Sequence, residues 1–137
     1  MLLVSVVGSP RSQGRNAWQL AGQLRSEVSM LTRRFSLEAD PRLWERLDDA
    51  AAAASRRIEE AFTTDRPQDF ARLIRLSLIA VKEVQEGVRL ALVKRLCVES
   101  DLRGLRELLS RLYPALSALL VPAQYPNVRA HRAGQRK

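Results

Sequence analysis

The chain is poor in the residues that most chemistry requires. It holds one cysteine and one histidine among 137 residues. A lone thiol forms no intramolecular disulfide and no multi-cysteine zinc site, and a lone imidazole excludes histidine-rich metal sites and paired catalytic histidines. Aromatic residues make up 5%, beside six glycines and six prolines. A sandwich or barrel needs more turns and more aromatic or β-branched strand residues than that. The apolar run Leu2–Val7 is broken by Ser5 and has no basic region before it, so it is too short and wrongly flanked for a signal-peptide core. No stretch approaches the ~18 consecutive apolar residues of a membrane span. With the unpaired cysteine, these absences lead us to expect a cytoplasmic protein with no membrane attachment, no metal and no cofactor.

What remains is the composition of one soluble domain: 46% hydrophobic and 28% charged residues. The net charge of +8 is unevenly placed. All 15 acids lie within residues 17–121, together with 17 of the 23 bases, so the excess sits mainly at the two ends. The carboxyl-terminal stretch contributes Arg129, Arg132, Arg136 and Lys137 with no acid, and such a tail attracts nucleic acid or anionic lipid without specificity. At the other end, Leu2–Val7 followed by Gly8-Ser9-Pro10-Arg11-Ser12 is similar to the first strand and phosphate loop of a flavodoxin-like reductase. That fold needs strands and helices alternating throughout, and nothing after Asn16 reads as a strand. Residues 1–15 are therefore expected to be a disordered extension, and residues 122–137 a disordered basic tail.

From Asn16 to Val121 the pattern has helical period. Ala17, Ala21, Leu24, Val28, Leu31 and Phe35 step by three and four residues, a packing seam flanked by Trp18. Asp40-Pro41 is a start signal, with an aspartate cap and proline at the first helical position. The second helix is expected from Pro41 to about Thr63, with Leu43, Leu47, Ala51, Ala54, Ile58 and Ala61 or Phe62 on its apolar face. The alanine run Ala50–Ala54 permits close approach of a neighbouring helix. Thr64-Asp65-Arg66-Pro67 is the next stop and start. The third helix is expected to run from Pro67 to about Cys97, with an apolar set wider than the ~100° stripe a surface helix needs. It is either central or buries a second face against another subunit. Ser100 or Asp101 caps the fourth helix, whose seam is Leu102, Leu105, Leu109, Leu112, Leu116 and Leu119. Pro114 is expected to kink it. Four helices of similar length joined by short loops imply an all-α fold, an antiparallel up-down-up-down four-helix bundle over residues 16–121.

These residues resemble a family. Trp18-Gln19-Leu20-Ala21, then Leu24, Val28, Leu31-Thr32 and Phe35, are similar to the opening helix of the bacterial four-helix-bundle proteins encoded in intervening sequences of large-subunit ribosomal RNA genes. The family's second helix carries a paired alanine and then an Asn-Ile-Ala-Glu-Gly-Phe signature. Ala50-Ala51 match the pair; at the signature Ile58, Glu60 and Phe62 agree, while Arg57, Glu59 and Ala61 depart. The stretch from Asp69 to Leu78, followed by Glu83 and Leu90-Ala91, resembles the third helix. The resemblance implies a ring-shaped homo-oligomer, a pentamer. It also implies kinship with the accessory variability proteins of diversity-generating retroelements, which bind nucleic acid and a reverse transcriptase.

No catalytic constellation is visible. His131 has no patterned partner. Cys97 beside Leu96 and Val98 reads as a small buried hydrophobe. Asp48-Asp49 and Glu59-Glu60 are adjacent on helices and so do not face each other as acid and base. The functional lead is basic. Arg75, Lys82 and Arg89 recur every seven residues as one stripe along the third helix, and Arg72 stands one turn before Arg75. Arg33-Arg34 and Arg56-Arg57 are further pairs near helix ends. Spaced cations of this kind track phosphates and release counterions. The competing reading is a solvated face laced with salt bridges, because Glu86 lies four residues after Lys82 and three before Arg89. Interleaved exposed aromatics are not evident. The sequence thus leads to a non-enzymatic oligomeric protein binding RNA or DNA through Arg72, Arg75, Lys82, Arg89 and the tail cations Arg129, Arg132, Arg136 and Lys137. The alternative is a protein-interaction scaffold with no nucleic-acid role.

Overall fold

A computed structural model of the chain describes residues 10–35 and 39–135, with side chains for residues 14–35 and 39–121. Among the described residues there are four long helices and no strand: α1 Pro10–Phe35, α2 Pro41–Ala61, α3 Pro67–Val93 and α4 Arg103–Gln135, with a 3₁₀ turn at Glu99–Leu102 before α4. The fold is all-α. α1 packs on α2 and α4, and α3 packs on α2 and α4, so the four close around one core.

The seams explain the packing. Every position of the α1 ladder from Ala17 to Phe35 is buried, as are Leu102 in the 3₁₀ turn and the seam leucines Leu105, Leu109, Leu112, Leu116 and Leu119 on α4. Side chains three and four residues apart stack on one helix face, and burying that face stabilises the bundle by roughly 25 cal/mol per Å² of apolar surface. On α2 the buried line is Leu43, Leu47, Ala50, Ala51, Ala54, Ile58 and Ala61, joined by Trp44. Trp44 stacks on Phe35 with centroids 5.4 Å apart, and the Thr32 hydroxyl donates to the Trp44 carbonyl at 3.2 Å.

α2 and α3 meet through small residues. Ala50, Ala51 and Ala54 on α2 and Ser77, Ala80, Gly87 and Ala91 on α3 are buried. The Ser77 hydroxyl, fully buried, donates to the Ala54 carbonyl at 2.8 Å, which satisfies it without water. Gly87 lies under Leu47: a β-carbon at Gly87 would stand 2.8 Å from Leu47 Cγ.

The ends depart from the periodicity in informative ways. α1 starts at Pro10, six residues before Asn16, and Gly14 is buried beneath the Phe62 ring. Residues 10–15 are thus helix and not part of a disordered extension; residues 1–9 lie outside the described residues. Asp40 caps α2 as expected, its carboxylate accepting from the Leu43 N–H at 3.2 Å. α3 ends at Val93 and not near Cys97. Arg95 enters the left-handed region at φ 60°, the Leu96 N–H donates to the Ala91 carbonyl at 2.9 Å, and the Arg95 N–H donates to the Leu92 carbonyl at 3.0 Å. This is a Schellman stop, built here without the usual glycine. Asp101 caps the 3₁₀ turn by accepting from the Val98 N–H at 3.0 Å. α4 continues through Pro114, which faces solvent, so water can meet the carbonyl that the proline leaves unpaired. The helical backbone also passes Val121 to reach Gln135. The apolar period stops at Val121, and the backbone stays helical beyond it although Pro122, Pro126 and Gly134 are poor helix formers. Residues 136–137 and the side chains beyond Val121 lie outside the described residues.

Two ion pairs join helix ends. Lys94 after α3 reaches Asp40 before α2 at 2.7 Å, and Arg34 in the last turn of α1 reaches Asp101 before α4 at 3.4 Å. The hydrogen bond from Lys94, followed by that from the Leu43 N–H, holds the Asp40 carboxyl below its ordinary range. A depressed carboxyl pKa contributes stability above the unfolded value and loses it as pH falls through the folded one. Melting temperature should therefore fall as the pH drops below about 4, and Asp40→Asn should remove the share owed to this residue, read by circular dichroism at several pH values. Two glycines should respond oppositely to alanine. Gly22 has nothing within 4 Å of an added β-carbon, so Gly22→Ala should stabilise by about 0.5–1 kcal/mol through helix propensity alone. Gly87→Ala should destabilise, because overpacking costs about 1–3 kcal/mol against that gain; urea midpoints decide both signs.

Candidate nucleic-acid interface

Among the described residues, no group of three or more histidine, cysteine, aspartate or glutamate side chains stands close enough to hold a metal ion. The carboxylate pairs are split between separate partners. Asp48 accepts from the Ser29 hydroxyl at 2.9 Å, whereas Asp49 lines the groove between α2 and α3. Glu60 pairs with Arg57 at 2.9 Å, whereas Glu59 lines the groove between α1 and α2. His131 lies outside the described side chains. Cys97 is buried just past the α3 stop.

The α3 stripe is exposed along its length, but its four cations are not equivalent. Arg89 bonds Glu86, with Nε to Oε1 at 3.2 Å. The pair raises the guanidinium pKa and lowers that of the carboxyl, chiefly through the hydrogen bond. Arg72 stands 3.9 Å from Asp69. Lys82 lies 5.9 Å above the Tyr113 ring on α4, within cation–π range. Arg75 and Lys82 enter no ion pair among the described residues. Glu86 thus selects Arg89, three residues on, and leaves Lys82 free of it. Between them Ile79 is 55% exposed, and Val93 at the end of the stripe is 64% exposed. The broad apolar set of α3 therefore reaches solvent. The tail cations Arg129, Arg132, Arg136 and Lys137 lie outside the described side chains.

A second basic face escapes the sequence reading. Arg15, Trp18, Gly22, Arg25, Ser29 and Arg33 follow one another at steps of three and four along the outer side of α1. Trp18 is 46% exposed. The three arginines are exposed and form no ion pair among the described residues. The signal was present as a second ladder, offset from the buried seam. A Trp one residue from a seam position gives no sign of whether its neighbour helix covers it.

The chain matches no family model, no curated protein and no solved structure.

Burial, followed by the charges of Asp101 and Glu99, pushes the Cys97 thiol up. Little thiolate then forms near neutral pH, and the thiolate is the reactive species. Iodoacetamide at mildly alkaline pH should label the folded protein far more slowly than the same chain in denaturant, as mass spectrometry would show.

Proposed function

We propose that this protein is an antiparallel, up-down-up-down four-helix bundle that assembles with copies of itself and binds nucleic acid without base specificity, as a non-enzymatic accessory factor in the cytoplasm. The observation that carries this reading is the outer face of α3. There Arg75 and Lys82 stand exposed and outside any ion pair among the described residues, with Ile79 exposed between them. Cations spaced along a helix attract phosphates through counterion release. The exposed Ile79 and Val93 supply apolar area of the kind that subunit contacts cover. Assembly then multiplies each subunit's few cations, and linked weak sites gain by effective concentration. The ion pairs between α3 and α2 ends, and between α1 and α4 ends, support the antiparallel order.

The resemblance to the intervening-sequence and accessory variability proteins makes the assembly a pentamer in this reading, and it makes a reverse transcriptase a candidate partner. A second reading rests on the same exposed Ile79 and Val93: a scaffold whose apolar surface meets other proteins and whose charge is incidental. No helix among the described residues is long and apolar enough to cross a membrane.

Light scattering should give a mass several times 15.5 kDa at micromolar concentration, and a mass holding at 15.5 kDa across concentrations rejects assembly. Binding to labelled RNA and DNA should weaken with salt by about 0.7 per phosphate contact on single strands and about 0.9 on duplex DNA in log–log slope. Arg75→Glu/Lys82→Glu should flatten that slope with the oligomer intact. An oligomer that shows no salt-sensitive binding at low ionic strength establishes the scaffold reading instead.

A further inference from the structure

We infer that the groove between α1 and α2 is a binding site for single-stranded nucleic acid, with Trp18 as its base-stacking platform. This deepens the nucleic-acid reading above and rests on it. Two adjoining hollows of about 720 and 540 Å³ run along this groove and share Trp18, Gln19 and Glu59 as walls. The smaller one is lined by Ile58 and by the rings of Trp18 and Phe62, which are 46% and 42% exposed. Phe62 is held in place edge-on by Phe70, centroids 5.1 Å apart.

Space beside the indole is kept open by Gly22. Helical side chains lean toward the amino terminus, so a side chain at 22 would cover the residue one turn earlier. Gly22 has none, and nothing stands within 4 Å of where its β-carbon would be. Charge runs along the same line. Arg15 lines the smaller hollow, and Arg25 and Arg33 line the larger one, against Glu59 as the acid of the groove. From Arg15 to Arg33 the helix spans about 27 Å at 1.5 Å per residue.

An unpaired base offers a flat apolar face and hangs from an anionic backbone, which matches a hollow lined by exposed rings beside a row of arginines. A duplex hides those faces in its own stack. The exposed Trp18, Met30 and Phe62 could also anchor a partner helix, but Arg15, Arg25 and Arg33 against the single acid Glu59 leave the groove with a net positive charge that favours an anionic strand.

The test uses the full chain and a fluorescent oligouridylate of about 20 nucleotides, longer than the ~4–16 nucleotides a single small domain covers, beside a duplex of equal length. Single strand should bind more tightly than duplex at equal salt. Trp18→Ala should weaken single-strand binding by about 5- to 150-fold, and Trp18→Phe should restore most of it. Gly22→Leu, which keeps every cation and the indole, should weaken it similarly. Arg25→Glu/Arg33→Glu should lower the salt slope by about 1.4. Light scattering on each variant should show unchanged mass. Normal single-strand binding by both Trp18→Ala and Gly22→Leu, with loss in Arg75→Glu/Lys82→Glu, overturns this site and leaves the broader reading standing. A change of mass with unchanged nucleic-acid binding overturns it in favour of a contact between copies. No binding to either probe by the unaltered protein overturns both.

Discussion

The close approach of α2 and α3 is the constraint on which the other helices depend. Alanines on one side meet serine, alanine and glycine on the other, and Ser77 bonds across the contact to Ala54. Helices with small residues between them bring their backbones together and leave no slack for a larger side chain. The α1 ladder, which broadens from Ala17 and Ala21 to Leu31 and Phe35, and the leucine seam of α4 then fill the remaining volume against this pair. Leu47 shows the tolerance: it occupies the space that Gly87 vacates.

Burying small residues inward has a counterpart outside. α3 spends much of its small-residue content on α2, and its larger apolar residues spread to the flanks, where Ile79 and Val93 reach solvent. α1 uses alanine and leucine inward and places Arg15, Arg25, Ser26 and Arg33 outward. The two outer faces therefore differ in character. The α3 face mixes aliphatic side chains with cations that are partly neutralised by Asp69 and Glu86. The α1 face carries arginines that enter no ion pair among the described residues, beside the exposed ring of Trp18. In the ion pairs at Asp40 and Asp101 the basic partners Lys94 and Arg34 are exposed and the carboxylates half-buried, and pairs open to solvent contribute little to stability.

Periodicity revealed what it physically encodes, which is burial. The ladders from Ala17 to Phe35 and from Leu102 to Leu119 are buried at every step, and the Asp40-Pro41 start stands where the capping chemistry requires it. Helix ends were less legible because they depend on single backbone angles. An arginine at 95 turning left-handed ends α3 early, and no composition rule marks an arginine for that task. α1 extends back to Pro10 because Phe62, distant in sequence, packs on Gly14. Trp44 escaped the apolar ladder because it stands beside Leu43 and is buried by Phe35. On the surface, charge spacing marked the α3 stripe but not which acid each base would take. Glu86 had two basic neighbours within reach, and its side-chain geometry settled on Arg89. The α1 face was hidden by its own seam, since Trp18 adjoins a buried position and its exposure depends on what α2 places opposite.

The chain has two tryptophans, and the fold sorts them into opposite surroundings. Trp44 is enclosed against Phe35 in the core, and Trp18 stands at the surface of α1. An enclosed indole emits at shorter wavelength and is shielded from dissolved quenchers, whereas an exposed one emits to the red and is readily quenched. The protein thus carries two separable optical reporters without any label: the blue component follows the integrity of the core, and the red component follows whatever comes to rest on the α1 face.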